Sequence, residues 1–559
     1  MHDNFIKEII NELPKNPSEA LIQFAYIIGN KSLRRLFKKN KQQKDTVFSI
    51  PIKSLDSKSK SYEQPSFPTR VYIDYMKSIG KSKKKLPLPN YSPLFKLWET
   101  HKFKDWMRFT REDILGAIDG KDTKDQYGAN FFVLRSLIDL EPKLLDFMVD
   151  CYNRLLEHEI CPEWSNCGLV PAHKGGDTSI PKNFRPLTVL PLVVRIWDSV
   201  ISKKLGELLK KYGVIDTLVQ RGVLSGVGGL TQNLLDVNRA MCSMSDDETC
   251  FFIDITNAYG SVNYGLLCHI LREYNFSPAL TEYIKTYYMN AYASYDGRIF
   301  RWENGLYQGS ALSNILFLIY MDYALKNAMT DLKMMRIIDY GFDLQANTRA
   351  FVDDLVMFLP KASCGPAIEF IQMLFIRFYG LEINQKKTYF FMNDAKVIEL
   401  AIGDISFQRV DIYFRYLGQG LMCFQDFLAN YRKIIRSYLE EIDTFDIDRK
   451  YKLYLYYRRV FQRINRTLKC YYAVHGRTDG LDEIMKLVGY FIYRWNGAFP
   501  SAYLEKHIEY IANKVSGVEL RESEVIDFTS LFGMENPMDD DFLEEIKNSS
   551  DDPYLRACR

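Results

Sequence analysis

Apolar positions along the chain recur at helical spacing in some stretches and condense into short, dense runs in others. Phe5, Ile9, Ile10 and Leu13, continued by Ala20 to Ile28, predict helix within residues 1–45. From Thr110, TREDILGAI carries acids in its first turn, as helix starts do, and FFVLRSLIDLEPKLLDFMVDCYNRLLEH reads as one long helix. Between them, residues 45–105 are rich in Lys, Ser and Pro, which predicts a linker or an extended arm. The dense runs look different. Gly168–Pro171 and Leu187–Leu190 predict short strands around a basic turn, followed by an amphipathic helix. Cys250–Ile253 predicts a buried strand that ends on Asp254. In TRAFVDDLVMFLP, Ala350–Val352 and Leu355–Phe358 have strand composition, so a β-hairpin is expected with Asp353 and Asp354 at or near its turn.

An Asp-Asp pair alone most often makes a solvated turn. Asp254 changes that reading, because it too would emerge from a strand end. Two-metal phosphoryl transfer needs acids from separate elements, converging on ions roughly 3.5–4 Å apart. Mg²⁺ suits such a site, since it takes oxygen ligands from one or two carboxylates plus substrate phosphates. Lys174 and Arg185, on the basic turn and the strand after it, could clamp a triphosphate, Lys as a point charge and Arg by its planar fork. The competing reading of both is a surface ion pair.

Composition sharpens this picture. The 559 residues, 47% hydrophobic, suffice for several cored domains. A net charge of only +3 conceals basic stretches (KSLRRLFKKNKQQK, KSKKK, and Arg432 to Lys469) and an acidic end. Aromatics interleaved with Arg and Lys in YKLYLYYRRVFQRINRTLKCYY suit a phosphate backbone lined by stacking groups. The 10 cysteines form no CxxC pair, so a reducing compartment without structural zinc is expected. The N-terminus lacks a signal-peptide apolar core and Ile315–Tyr320 is too short to span a bilayer. An intracellular protein, nuclear or cytoplasmic and without a membrane partner, is expected.

The order of motifs carries more than any one of them. Pro162-Glu-Trp164, Lys174-Gly-Gly-Asp177 and Asn183-Phe-Arg185-Pro186-Leu187 precede Gln220-Arg-Gly222 and Asp254-Ile-Thr-Asn-Ala-Tyr259. Gly305-Leu-Tyr-Gln308-Gly309-Ser-Ala-Leu-Ser313, Phe351-Val-Asp353-Asp354, Gly380-Leu-Glu-Ile-Asn-Gln-Lys386-Lys387-Thr388 and Tyr416-Leu417-Gly418 follow. Together they resemble the reverse transcriptase domain of LINE-like, non-LTR retrotransposons, over roughly residues 110–420 and more loosely to 505.

The resemblance implies an α+β right-hand polymerase: fingers, a palm on a ferredoxin-like sheet, a helical thumb and a helical N-terminal extension. The expected divisions are a basic extension with a Lys/Pro-rich arm (1–109), fingers (110–245), palm (246–422), thumb (423–505) and an acidic tail (506–559). The implied reaction is RNA-directed DNA synthesis by two-metal nucleotidyl transfer. Asp254, Asp353 and Asp354 would be the palm carboxylates, with Asp254 and Asp353 the foremost ligands of two Mg²⁺ ions, or of Mn²⁺. Tyr259 resembles the aromatic that closes the space of a ribose 2′-hydroxyl, and Gln308 with Gly309 the strip beneath the nascent base pair. Lys174 and Arg185 resemble fingers residues near the incoming phosphates. Lys387 resembles a proton donor to pyrophosphate, and Tyr416-Leu417-Gly418 the primer grip. Arg432, Lys433, Arg458, Arg459, Arg463 and Arg466 of the basic stretch are expected on nucleic acid. The implied partners are an RNA template, a DNA primer or nicked target, dNTPs and a separate endonuclease.

Two positions depart from the family pattern. Gly260 stands where Asp is common, and Asn314 where Pro is common, so retained chemistry with altered local packing is expected. The stretch before residue 110 is too short and basic for an apurinic-type nuclease, and no Cys/His knuckle follows. Target cleavage would then come from another protein, or this is a truncated or domesticated copy. A viral RNA polymerase would usually carry Gly-Asp-Asp and a polar residue at 259, while a telomerase-like enzyme shares the Gln308 motif. A retired, RNA-binding scaffold is the rival from another class, and the intact Asp, Tyr, Gln and Lys set argues against it.

Overall fold

The structure, a computed structural model, describes residues 65–496 apart from 81–85, 98–106, 120–130, 158–165, 225–228, 304, 395, 404, 411–413, 424–426, 448 and 476–480. The helix expected within 1–45, the Pro162-Glu-Trp164 motif and the acidic tail lie outside the described residues.

A helix, α1 (Thr69–Gly80), occupies part of the stretch read as an extended arm. The Pro-rich flanks hid an apolar stripe of Tyr72, Ile73 and Met76, all buried, and burying such a stripe is what stabilises a short helix. Tyr72 stacks on Phe67 at 5.2 Å and meets Tyr295 at 4.8 Å, while Thr69 Oγ1 donates to Asp296 Oδ2 at 2.6 Å. Next come α2 (Arg111–Asp119), α3 (Phe131–Leu140) and α4 (Lys143–Glu157). The single long helix expected over the last two is broken at Pro142, whose ring and missing N–H are tolerated at a helix start but not inside one.

The strands fall into three sheets. In chain order they are β1 (Cys167–His173), β2 (Phe184–Val189), β3 (Glu248–Ile253), β4 (Tyr292–Tyr295), β5 (Arg298–Arg301), β6 (Thr348–Phe351), β7 (Asp354–Pro360), β8 (Tyr389–Phe391), β9 (Glu399–Ile402), β10 (Ile405–Arg409), β11 (Arg415–Tyr416) and β12 (Gln419–Gly420). One sheet runs β2-β1-β4-β5, the second β6-β7-β3-β8-β10-β9, and the last two strands form a small hairpin. In the second sheet β3 lies between β7 and β8, antiparallel to both, with Ile253 opposite Leu355. Side chains of a strand alternate between faces. Phe251, Ile253, Leu355 and Met357 therefore join the main core, while Cys250, Phe252, Val356 and Phe358 build a second cluster on the other face.

Helices cover the sheets: α5 (Leu192–Lys211), α6 (Gly229–Ser243), α7 (Tyr264–Glu273), α8 (Pro278–Met289), α9 (Ala311–Met334) and α10 (Cys364–Leu374). Helix α9 is buried nearly all round, which places the apolar run Ile315–Tyr320 in the core. No helix among the described residues is long and apolar enough to cross a membrane. Beyond the sheets, α11 (Phe427–Asp443), α12 (Arg449–Tyr456), α13 (Gln462–His475) and α14 (Leu481–Asn496) pack around their own cluster, including Tyr431, Ile435, Val460, Val488 and Trp495.

Docking of α1 is open to a direct test. Tyr72→Ala should cost about 3–5 kcal/mol in urea unfolding, the usual range for removing a buried aromatic. Unchanged stability would mean that α1 is not part of the folded body.

Candidate active site

The turn of the β6–β7 hairpin has two residues, Val352 and Asp353, because Phe351 pairs with Asp354. Both acids thus sit at the tip, as the sequence pattern predicts. Val352 has φ +64°, a left-handed conformation that β-branched residues avoid. Gln220, fully buried, holds it there. Its Nε2 donates to the Val352 carbonyl at 3.1 Å, and its Oε1 accepts from Val352 N at 2.8 Å and from Gly222 N at 3.1 Å. A Cβ on Gly222 would lie 2.5 Å from Val352 Cγ2, so glycine is required for this approach. Arg221 and Arg349 both reach Asp236 of α6, at 2.6 and 3.3 Å, and tie the clamp and β6 to that helix. Motif matching marks Gln220-Arg-Gly222 without revealing this clamp.

Asp254 leaves the end of β3 and is braced by the loop that carries Lys387. Asn384 Nδ2 donates to Asp254 Oδ2 at 3.0 Å and Asn384 N to the Asp254 carbonyl at 2.8 Å. The Asp254 N–H in turn donates to Thr388 Oγ1 at 3.2 Å. Asn384 and Thr388 carry no titratable group, so sequence reasoning centred on charge passes over them.

Asp254, Asp353 and Asp354 feel one another. Asp354 is exposed at the hairpin tip, yet desolvation by the surrounding chain first, and then the charges of Asp353 and Asp254, push its carboxyl up to about 6. Burial also raises Asp353, with Asp254 adding to the shift. Arg185 and Lys387 oppose both shifts. Lys174 is lowered by desolvation and then by Arg185 and Lys387, with Asp254 pulling the other way. Three carboxylates and three cations, far apart in sequence, therefore share one electrostatic neighbourhood. Lys174 and Arg185 arrive on the β1–β2 hairpin, where Ala172 is opposite Arg185 and Lys174 N donates to Asn183 O at 2.8 Å. Among the described residues no group of three or more His, Cys, Asp and Glu is gathered tightly enough to hold a metal ion by itself. The acids' all-oxygen donor set still suits a hard divalent cation, for which substrate phosphates would complete the shell.

Tyr259 is held on every side. Its ring stacks on Phe317 at 4.7 Å and its hydroxyl donates to Asn314 Oδ1 at 2.9 Å. Burial, and then the charge of Asp353, raise its pKa, which puts the ring beside the acids. Leu306 N donates to the Tyr259 carbonyl at 2.8 Å. Gly305, at φ +82°, brings its backbone against Gly260, whose Cα would be 2.6 Å from a Cβ built there. A Cβ on Gly260 would in turn lie 2.3 Å from Asn257 Nδ2. The local packing around Gly260 thus leaves no room for the acid common in the family.

Gln308 and Gly309 are sewn to the strand that carries Arg185. Leu187 and Gln308 form a parallel bridge, and Thr188 donates to the Gln308 carbonyl from both N, at 2.8 Å, and Oγ1, at 2.9 Å. Gly309 has φ +117° and lies close against the Thr188 carbonyl. Ser310, the cap of α9, donates to the buried Asp198, whose carboxyl burial pushes up to about 7. A cavity of about 360 Å³ opens beside this strip, lined by Pro186, Asn257, Gly260 and Gln308 on one side and by Met76 and Lys77 of α1 on the other.

Tyr416 is buried, and its hydroxyl accepts from Asn233 Nδ2 at 3.0 Å. Leu417 and Gly418, both at positive φ, make the β11–β12 turn. Burial, and then the charge of Asp354, raise the Tyr416 pKa, so this hairpin stands near the acids. The basic helical residues have more local occupations. Arg432 pairs with Glu483, Arg459 with Glu441 at 3.8 Å, and Arg463 donates to Tyr438 Oη at 2.9 Å while lying 5.1 Å over its ring. Lys433 and Arg466 are exposed, and the side chain of Arg458 lies outside the described residues.

Acids at the end of a central strand and at the tip of its neighbouring hairpin, faced by cations from a second sheet, have the layout of a right-hand polymerase fold of mixed α+β class. Residues 172–421 match the family described as reverse transcriptase (RNA-dependent DNA polymerase). The Pol polyprotein of the type-2 retrotransposable element R2DM from Drosophila melanogaster is 26% identical over 220 residues, which cover 37% of this chain and 20% of that protein. The probable RNA-directed DNA polymerase from transposon BS of the same organism is 21% identical over 293 residues, covering 50% of this chain and 31% of the other. Residues 172–421 are accordingly similar to the reverse transcriptase domains of retrotransposable elements. The aligned stretch spans less than a third of the length of either relative. A solved RNA-dependent RNA polymerase of a human picobirnavirus aligns with 81% of this chain and 84% of its own at 13% identity and a TM-score of 0.37.

Two outcomes follow from this geometry. Gln220→Ala strands the buried Gly222 N–H and leaves the half-buried Val352 N–H and carbonyl without their partner, and should destabilise the protein by about 1–3 kcal/mol in urea unfolding. The raised carboxyl of Asp354 predicts an opposite effect. Its folded value of about 6 exceeds the ordinary 3.8, so its charge burdens the fold fully above pH 6 and not at all below 4. Without divalent cations, Asp354→Asn should raise Tm at pH 8, and the gain should vanish by pH 4.

Proposed function

We propose that the chain is an RNA-directed DNA polymerase that joins dNTPs to a primer 3′-hydroxyl on an RNA template. The observation that carries this reading is the convergence of Asp254, Asp353 and Asp354 with Lys174, Arg185 and Lys387. Acids so placed repel one another unless cations lie between them, and the facing cations suit a polyphosphate. Asp254 and Asp353, aided by Asp354, would hold two Mg²⁺ ions, or Mn²⁺. Bound there, the ions would lower the pKa of the attacking hydroxyl and neutralise the leaving pyrophosphate.

The chain's own residues do the positioning. Arg185 binds the triphosphate through its guanidinium, and Lys174 adds a second charge. Lys387, on the loop that braces Asp254, gives a proton to the departing pyrophosphate. Gln308 and Gly309 form the floor under the new base pair, where glycine lets the backbone come close. Tyr259 fills the space of a ribose 2′-hydroxyl and so selects dNTPs. Tyr416, Leu417 and Gly418 seat the primer end. Lys433, Arg458 and Arg466, with Arg432, Arg459 and Arg463 held ready in their helical pairs, follow the template through its backbone and A-form shape. The primer is a DNA end or a nicked target, cut by a separate endonuclease, and the work is done inside the cell, in nucleus or cytoplasm.

Primer extension on an RNA template tests this, using the full chain with Mg²⁺ and dNTPs or rNTPs in parallel. DNA product from wild type, and background from a folded Asp353→Asn variant that still binds RNA, is the expected result. Preference for rNTPs would instead make the chain an RNA polymerase. No product from folded, RNA-binding wild type would leave an RNA-binding scaffold.

A further inference from the structure

Asn314 stands in the first turn of α9, at a position where the family commonly has proline. Proline is tolerated near a helix start, but its ring offers no hydrogen-bonding atom. Asparagine at this point supplies an acceptor, and the structure uses it. Asn314 Oδ1 takes the Tyr259 hydroxyl at 2.9 Å. One turn along the same helix, Phe317 stacks on the Tyr259 ring at 4.7 Å with the planes 16° apart. Residues three apart share a helix face, so α9 grips this tyrosine at its ring and at its tip together. The backbone is fixed independently by Leu306 N. A tyrosine ring has two side-chain torsions to lose; Phe317 limits tilting of the ring, and Asn314 limits swinging of its tip.

We propose that Asn314 is a positioning residue for sugar selection: its amide oxygen pins the Tyr259 hydroxyl and thereby keeps the ring across the space of a ribose 2′-hydroxyl. The proposal rests on the dNTP-polymerase reading above. Without the pin the ring swings aside more readily, and a ribonucleotide is better accommodated. The amide also satisfies the tyrosine hydroxyl, which is then not left to hydrogen-bond a ribose hydroxyl and so favour the sugar it excludes.

The test is single-nucleotide incorporation on an RNA template, with kcat and KM measured for matched dNTP and rNTP. The proteins are wild type, Asn314→Ala, Asn314→Asp, Tyr259→Phe and the Asn314→Ala/Tyr259→Phe double variant. The ratio of kcat/KM for dNTP over rNTP should fall about three- to tenfold in Asn314→Ala, the range of one hydrogen bond, chiefly through a lower KM for rNTP. Tyr259→Phe, which removes only the hydroxyl, should show a similar fall, and the double variant no further one. Asn314→Asp, which keeps an acceptor, should retain most of the wild-type ratio. An unchanged ratio in Asn314→Ala or in Tyr259→Phe overturns the proposal, as do losses that multiply in the double variant; Tyr259→Phe decides the matter if Asn314→Ala does not fold. A wild-type protein that extends primers with neither nucleotide overturns the polymerase reading, and this proposal with it.

Discussion

Mutual repulsion among three carboxylates is the constraint around which this protein is arranged. Desolvation, and then the charges of the neighbouring acids, make Asp353 and Asp354 hold their protons more tightly than isolated acids would. Arg185 and Lys387 reduce the repulsion without removing it. Keeping such a cluster assembled requires rigid backbone beneath each acid. The Gln220 clamp supplies it for the hairpin, and the Asn384–Thr388 brace supplies it for the end of β3. Structural energy is thereby committed to a site that is unfavourable by itself, as is common where strain and function coincide.

A second theme is the close approach of loops and strand ends at glycines, where side chains would obstruct the contact. Gly305 rests on Gly260, Gly222 on Val352, and Gly309 on Thr188. These contacts bring the strand bearing Arg185, the strip at Gln308 and the loop bearing Tyr259 into one rim. Below that rim Ser310 links the start of α9 to the buried Asp198. The rim also touches α1, so a helix from the amino-terminal side completes one wall of the cavity beside Gln308.

Much of this was legible before any coordinates. Strand composition located β3 and the β6–β7 hairpin, while helices after residue 423 were expected only from the resemblance. The positions of the acids followed from those elements. Other features left no such trace. Helix α1 has its stripe compressed into a few residues between prolines, and Pro142 divides a pattern whose periodicity continues across it. Gln220, Asn384 and Asn314 act through hydrogen bonds to residues distant in the chain, and a pairing of that kind has no local signature. The basic stretch from Arg432 to Lys469 suggested nucleic acid, yet several of its arginines are joined to acids or tyrosine of neighbouring helices, which composition cannot distinguish from a binding face.

The Gln220 clamp makes the shape of the hairpin tip a property of the whole domain. Gln220 and Val352 are 132 positions apart, so the turn is not encoded in the segment that forms it. During synthesis the acids leave the ribosome long after Gln220, and their geometry waits for a contact of high sequence separation. A fragment that starts downstream of Gly222 would carry all three aspartates and still lack the partner that bends the chain between them. Shortened copies of such a gene would therefore lose the arrangement of the acids abruptly, by deletion of a residue far from them in the chain, while every acidic position remained intact in the sequence.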